Sequence, residues 1–245
     1  LYFDKGTYQP DPKQTAAWNR GAYLVEGLGH CSECHSPRNL LGGIEQKKAF
    51  TGADIDGWFA LNLTSNLKTG LGSWSVDDIA TYLKTGADKS KSTSLGPMSE
   101  VVHNSLSFMT DDDLQAMAEY LKALPASSAM SPDHQPDKTL AAGATTYVDN
   151  CSACHQAQGS GIPGVFPALA GNGVVLAADA NDILKVVLFG IPVQDGYIAM
   201  PGFGDKLSDQ QIADLANYLR SSWGNGAAVN ATAAQVAALR KLPVE

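Results

Sequence analysis

Two copies of one pentapeptide pattern hold all four cysteines of this 245-residue chain. The first copy is Cys31-Ser32-Glu33-Cys34-His35 and the second is Cys151-Ser152-Ala153-Cys154-His155. Cys-x-x-Cys-His is typical of covalent c-type haem attachment, because two sulfurs at this spacing can each bond one vinyl group along a single porphyrin edge. The histidine that follows lies beneath the ring and can bind the iron. The sequence therefore predicts two covalently bound haem c groups.

Two other uses of a Cys-x-x-Cys pair have to be weighed against haem attachment. The pair can form a redox disulfide, or it can supply half of a zinc site. A thioredoxin-like disulfide is expected within a βαβ pattern, and the sequence shows none. A single zinc site joining all four cysteines would leave His35 and His155 unexplained. We therefore favour haem, which the absorbance spectrum of the reduced protein would reveal through its sharp c-type bands.

Each histidine-bound iron needs a second axial ligand or has an open face. Methionine in that position gives an electron-transfer haem with a raised potential. Met98 follows Gly96-Pro97 in a predicted loop, and Met200 lies in a loop shortly before the last long helix. Both are downstream of their histidine, at His35 and at His155. We predict Met98 and Met200 as the sixth ligands.

Other residues of the first half could serve instead of Met98. Met117 lies on the apolar side of a predicted helix and Met109 adjoins the start of that helix, where core packing is the natural role of a methionine. His30 or His103 would give an iron with two histidine ligands, which we consider the weaker alternative.

Helices are the elements that must position these residues. Patterns of one glycine and one tyrosine precede each pentapeptide, within residues 14–26 and 139–148. A glycine costs a helix about 1 kcal/mol relative to alanine, so another helix is expected to cross closely there. The crossing partners are predicted at residues 110–122 and 208–220, which have hydroxyl N-caps and matching apolar stripes.

The rest of the sequence also predicts helices, so the predicted fold class is all-α. Shorter helices are predicted at 75–84 and 181–188, each followed by a glycine suited to a left-handed C-cap. Strand-like alternation is scarce. We predict a first domain at 1–124, a linker at 125–138, a second domain at 139–224 and a tail at 225–245. Residues 231–242 of the tail could form one more helix that docks on a domain or on a partner.

The charge of the chain limits its partners. Lys and Arg number 17 and Asp and Glu 25, which gives a net charge of −8. An acidic chain without a basic block argues against nucleic acid as a partner. Neither a transmembrane helix nor a signal peptide is visible, so we expect a mature or truncated product. Membrane association, if it occurs, is not expected to use a transmembrane helix.

The chain carries a set of motifs at residues 20–31, 34–39, 57–64, 70–75, 96–98 and 165–169. Through these motifs it resembles the cytochrome c subunits of bacterial membrane-associated dehydrogenases for alcohols, gluconate, sorbitol, fructose and aldehydes. The resemblance implies two tandem class I cytochrome c domains. Family members typically carry three haem domains and a C-terminal membrane-binding segment, so this chain is either a two-haem member or a piece of a three-haem one.

Further cofactor-binding residues are predicted around the two haems. The segment from Phe166 to Gly171 resembles the Pro-x-Leu-x-Gly segment of cytochromes c, which implies that the carbonyl of Pro167 accepts the other ring N–H of His155. The alternative is a simple loop proline. The first half shows no clear equivalent. Its candidates are Arg38, which could pair with a haem propionate or be a solvated charge, and the group Trp58, Asn62 and Trp74, whose tryptophans line the pocket or fill the core.

These observations indicate an electron-transfer protein and not an enzyme. The resemblance implies that electrons pass from the catalytic subunit of a dehydrogenase to quinone, another cytochrome or an oxidase. Covalent haem attachment indicates the bacterial periplasm. One alternative is a dihaem enzyme of the peroxidase or thiosulfate dehydrogenase type, which would need a haem without methionine ligation. Another is a pair of domains that relays electrons only within a larger assembly.

Overall fold

The protein forms two compact units in a computed structural model that describes residues 6–88, 91–128, 140–193 and 197–242. The first unit comprises Leu1–Gly86 and Ser94–Ala129, and the second comprises Ala87–Thr93 and Met130–Glu245. Helices dominate both units, as predicted. Within the described residues no helix has the length and apolar character needed to cross a membrane. Residues 129–138 of the predicted linker lie outside the described residues.

In the described residues of the first unit there are five α-helices, three 3-10 turns and one short antiparallel hairpin. In the hairpin Ala53 pairs with Ala60. The first helix continues directly into a π-helical turn at Tyr23–Leu28. The α-helices are α1 Ala16–Ala22, α2 Ser32–His35, α3 Val76–Thr85, α4 Pro97–Asn104 and α5 Asp111–Ala123, the 3-10 turns are Gln46–Lys48, Leu71–Ser73 and Leu106–Phe108, and the strands are β1 Ala53–Ile55 and β2 Trp58–Ala60.

The described part of the second unit has a similar order of helices and one additional helix at its end. Its two strands have only two residues each, and Ile191 pairs with Met200. The elements are α6 Ala141–Asn150, α7 Ser152–His155, α8 Gly173–Leu176, α9 Asn181–Phe189, β3 Gly190–Ile191, β4 Met200–Pro201, α10 Asp209–Ser221 and α11 Ala233–Leu239. The hairpins of both units were not predicted, because strands this short carry no readable alternation.

Side-chain caps fix the helix ends where the sequence predicted them. Ser208 and Gln211 form a capping box at α10, and the hydroxyl of Thr110 accepts the Asp113 N–H at α5. Gly86 ends α3 in the left-handed conformation. Gly190 also has a positive φ, +79°, but its ψ is −172°, so the chain leaves α9 in an extended form and enters β3.

One close helix crossing organises each unit. A Cβ placed on Gly21 would lie 2.0 Å from the Ala116 carbonyl oxygen, and a Cβ on Gly143 would lie 2.2 Å from that of Asp214. Only glycine therefore allows α1 to reach α5 and α6 to reach α10. The prediction of a close crossing at these two glycines is confirmed.

The predicted apolar stripes form the cores beneath these crossings. Their residues on α5 and α10 are almost completely removed from solvent. Burial of each leucine, isoleucine or methionine side chain among them contributes about 1.5–3 kcal/mol. The stripe residues are Leu114, Met117, Ala118 and Leu121 in the first unit and Ile212, Leu215, Ala216 and Leu219 in the second.

Two candidate haem sites

Both Cys-x-x-Cys-His sequences fold as a single helical turn. The His35 N–H bonds the Cys31 carbonyl at 3.0 Å, and the His155 N–H bonds that of Cys151 at 2.9 Å. The turn brings the first cysteine of each motif into the interior, half-buried, while Cys34 and Cys154 are exposed. Residues three and four positions apart on a helical turn are neighbours on its surface, so the spacing in each motif is suited to presenting two sulfurs and one imidazole together.

The state of the thiols bears on the disulfide and zinc alternatives. None of the four cysteines, all of them in the described part of the chain, forms a disulfide. Burial raises the pKa of the Cys31 and Cys151 thiols to about 11, so both are protonated at neutral pH. Redox exchange needs the thiolate form. Within the described ranges, no group of three or more His, Cys, Asp or Glu side chains could hold a metal ion.

A backbone carbonyl orients the histidine of each motif. Nδ1 of His155 lies 2.9 Å from the Pro167 carbonyl oxygen, and Nδ1 of His35 lies 2.7 Å from that of Leu61. When Nδ1 donates this hydrogen bond, the lone pair of Nε2 is available to a metal. Burial lowers the pKa of both imidazoles more than the carbonyl contact raises it, so the rings favour the neutral form that ligates iron.

Leu61 is the residue that the sequence did not reveal. Its carbonyl is 26 residues from His35, whereas Pro167 follows His155 by 12. A signal was present in the neighbouring Asn62, which was singled out for a different role. The buried Asn62 amide donates to Thr69 and Ser127 at 3.0 Å each, and its oxygen accepts the Thr64 N–H at 2.8 Å. Asn62 therefore braces the loop that presents Leu61.

Met98 lies on a helix and not in the predicted loop, so that part of the prediction was wrong. It belongs to the first turn of α4, whose first residue is Pro97 and whose N-cap is Gly96. Proline is well suited to the first position of a helix, and this signal was not used. The half-buried Met98 packs against the core of the first unit. The Trp58 ring lies over Gly96, where an added Cβ would come within 2.6 Å of it.

The second unit encloses a cleft that is lined by all five predicted site residues of its half. The cleft opens to solvent, and the space inside it and its mouth is about 760 Å³. Its lining is predominantly apolar and includes Phe166, Ile191 and Phe203. The predicted residues that line it are Cys151, Cys154, His155, Pro167 and Met200. The donor set and the apolar walls fit a covalently bound haem.

Two predicted residues of the first unit have other partners in the structure. Arg38 bonds the carboxylate of Glu33 and donates to the Gly42 carbonyl at 2.8 Å. It thus ties the pentapeptide turn to the loop that follows. The Trp74 ring packs edge-on against Tyr82 at 5.6 Å between centroids, beside the core. A haem-binding role for either residue stays a prediction, as does the role of Trp58 in lining the site.

The other candidate iron ligands of the first unit lie in different environments. His30 is exposed and has a positive φ of 34°. His103 is exposed on α4, where its Nδ1 lies 2.7 Å from the Ser99 carbonyl. Met117 is buried in the core, which is the packing role predicted for it. Met109 is half-buried just before α5.

Comparison with known proteins and the geometry of the sites both indicate a cytochrome c. A family model described as "Cytochrome c" matches residues 140–223. The chain is 39% identical over 262 aligned residues to the gluconate 2-dehydrogenase cytochrome c subunit of Pantoea cypripedii, covering 97% of this chain and 59% of the relative. It is 42% identical over 245 residues to the cytochrome c subunit of the quinone alcohol dehydrogenase of Gluconobacter oxydans, covering 90% and 51%.

A shorter relative is matched over most of its own length. The cytochrome c-552 of Thermus thermophilus is 35% identical over 110 residues, which cover 40% of this chain and 83% of the relative. In contrast, the chain spans only 59% and 51% of the two dehydrogenase subunits. The predicted resemblance to cytochrome c subunits of dehydrogenases is confirmed by these matches.

Proposed function

Because the chain belongs to the cytochrome c family, we propose that it is a two-haem electron-transfer protein. The donor would be the catalytic subunit of a dehydrogenase, and the acceptor would be quinone, a further cytochrome or an oxidase. The two relatives named as cytochrome c subunits of dehydrogenases support this choice of donor. Such a protein makes and breaks no substrate bonds.

Each unit supplies one complete set of haem-binding groups in this proposal. Cys31, Cys34 and His35 hold the first haem, and Cys151, Cys154 and His155 hold the second. Met98 and Met200 are the sixth ligands. When bound, the haem iron supplies one-electron redox chemistry between its ferric and ferrous states. In this proposal the two units are tandem class I cytochrome c domains, for which the sequence predicted the bounds 1–124 and 139–224.

The observation that carries the proposal is the repeated histidine geometry. In both units a helical Cys-x-x-Cys-His turn presents an imidazole whose Nδ1 contacts a carbonyl, that of Leu61 or of Pro167. The contact fixes the ring orientation and the tautomer before any ligand binds. Two such sites in one chain support two haems, although the family model matches the second half only.

The surroundings of Met200 support an electron-transfer role over turnover. Its thioether lines a cleft with the apolar side chains of Phe166, Ile191 and Phe203. A thioether ligand and apolar walls both favour the reduced iron and exclude water from its sixth position. Substrate turnover would require that position to be open.

The proposed setting is the bacterial periplasm, since covalent c-type haems are assembled outside the cytoplasm. The chain carries a net charge of −8, and four haem propionates would add to it. We therefore expect it to dock on a basic patch of its donor, with a reduction rate that falls as salt is added. A rate that is independent of ionic strength would contradict this docking mode.

Haem counting tests the proposal directly. Intact mass and absorbance of the reduced protein should give two covalent haems per chain. The double variant Cys31→Ala/Cys34→Ala should retain one haem, and so should the matched variant Cys151→Ala/Cys154→Ala. A wild-type protein with one haem or none would overturn the two-haem proposal. Activity of the purified protein with peroxide or thiosulfate would overturn the electron-transfer role.

A further inference from the structure

The C-terminal segment of the chain, here residues 225–242, is a structural part of the second unit. Thr232 and Gln235 form a capping box that starts α11, and Val236 of this helix is fully buried. Asn217 of α10 exchanges two hydrogen bonds with the backbone of Ala231, at 2.9 and 3.0 Å. The helix predicted within the tail therefore exists and docks on the unit that contains Met200.

Arg240, at the end of α11, connects this segment to the loop that follows Met200. Its Nε donates to the Asp209 carboxylate at 2.6 Å and its Nη2 donates to the Leu207 carbonyl at 2.7 Å. Its Nη1 donates to the Gly204 carbonyl. One planar guanidinium thus fixes three points over six residues, a geometry that the single ammonium of lysine cannot reproduce.

Among the described residues, elements close in sequence hold the same loop at two further places. Ile191 of β3 pairs with Met200 of β4. The Phe203 N–H bonds the Val187 carbonyl at 2.8 Å, and the Gly204 N–H bonds that of Leu188 at 3.1 Å. These bonds hold the beginning of the loop to the end of α9. Arg240 holds the part that leads into α10.

We infer that Arg240 is a positioning residue that keeps Met200 in place as an iron ligand. The inference rests on the proposed function, since it assumes that Met200 binds the second iron. The mechanism is a restriction of the loop. When the guanidinium holds Gly204 and Leu207, the loop between β4 and α10 cannot swing outward, and the Met200 thioether stays in the cleft.

Imidazole binding to the oxidised protein measures this restriction. Imidazole reaches the second iron only when Met200 has left it, so its apparent affinity reports the fraction of chains with an open loop. Arg240→Ala should increase that affinity about tenfold, the expected effect of losing one or two net hydrogen bonds. Arg240→Lys should give a smaller increase, because it keeps a charge near Asp209.

Arg220 provides a matched control in the same unit. It is completely buried on α10 and donates to the carbonyls of Val175, Ala177, Asp179 and Ala228 at 2.7–3.0 Å, none of which belongs to the Met200 loop. Arg220→Lys should therefore lower the melting temperature of the unit without changing the imidazole affinity, measured well below melting. This control separates loop opening from a general loss of stability.

The possible outcomes distinguish the inference from the proposed function. Met200→Ala identifies the binding phase of the second iron, because imidazole then displaces no methionine. If Met200→Ala changes that phase and Arg240→Ala leaves it at the wild-type affinity, the positioning role is wrong. The same is true if Arg220→Lys raises the affinity as much as Arg240→Ala. If Met200→Ala changes nothing, the ligand assignment itself fails. Circular dichroism and haem content confirm that each variant is folded.

Discussion

The Leu61 carbonyl oxygen lies 2.7 Å from Nδ1 of His35 and fixes the orientation of that imidazole. The Pro167 carbonyl has the same relation to His155 in the other unit. The first contact comes from a loop braced by a buried asparagine, and the second comes from a loop containing a proline. The two units thus reach the same histidine geometry through different local structures.

Replacement of Asn62 should weaken the loop that carries Leu61. Asn62→Ala removes the acceptor of the Thr64 N–H and the donor to Thr69 and Ser127. Because Asn62 and Thr64 are buried, we expect the free energy of unfolding of the first unit to fall by about 1–3 kcal/mol. Urea unfolding measures this change. Thr69→Val removes one of the same bonds and should cost less. If both variants lose the same free energy of unfolding, Asn62 does not hold the loop through all three of its hydrogen bonds.

The contrast between these two loops shows what the sequence could predict. The attachment motifs, the long helices and Gly21 and Gly143 at the crossings were readable because each depends on residues close together in the chain. Pro167 was found through a motif that resembles a known family. The Leu61 contact was not found, because it uses a backbone carbonyl that any residue could supply.

Neither the helix that contains Met98 nor the hydrogen bonds of Arg240 could be predicted from the sequence, for related reasons. A helix that begins at Pro97 has a short apolar pattern, and the glycine before it suggested a loop. The partners of Arg240 are 31 to 36 residues away in the chain. Contacts of this kind depend on how α9, α10 and α11 pack together, and no local pattern encodes that packing.

The two methionines should each account for part of one spectral feature. A weak absorbance band at the red end of the visible spectrum marks bonding of methionine to ferric iron. Met98→Ala and Met200→Ala should each remove about half of this band if both irons have methionine ligands. Met117→Leu, a buried change of similar volume in the core, should leave the band intact. A band that survives Met98→Ala undiminished would favour His30 or His103 as the ligand.

The crossing glycines should not tolerate even one added methyl group. Gly21→Ala and Gly143→Ala place a Cβ about 2 Å from a carbonyl oxygen of the facing helix. The gain in helix propensity is about 1 kcal/mol, but a rigid backbone clash of this kind costs about 1–3 kcal/mol or more. We therefore expect lower melting temperatures in both variants. Gly27→Ala is the control, since its Cβ would have no neighbour closer than 3.9 Å. A destabilised control or tolerated crossing variants would contradict the close approach.

The ion pair between Arg20 and Asp113 should give the first unit a pH-dependent component of stability. Both contacts of the guanidinium with the carboxylate are short, 2.7 and 2.9 Å, and the hydrogen bond from Arg20 lowers the pKa of Asp113 below its usual value of 3.8. A carboxylate with a lowered pKa stabilises the folded state above the unfolded value and loses this effect as the pH falls through the folded value. Arg20→Gln should therefore reduce stability at neutral pH and have less effect in acid. Urea unfolding at both pH values measures the difference.

The salt dependence and a double variant test the same ion pair. Because the pair is exposed, added salt should reduce its contribution to the free energy of unfolding. The double variant Arg20→Gln/Asp113→Asn should lose less stability than the sum of the losses in the two single variants. A loss equal to that sum would show that the ion pair contributes nothing.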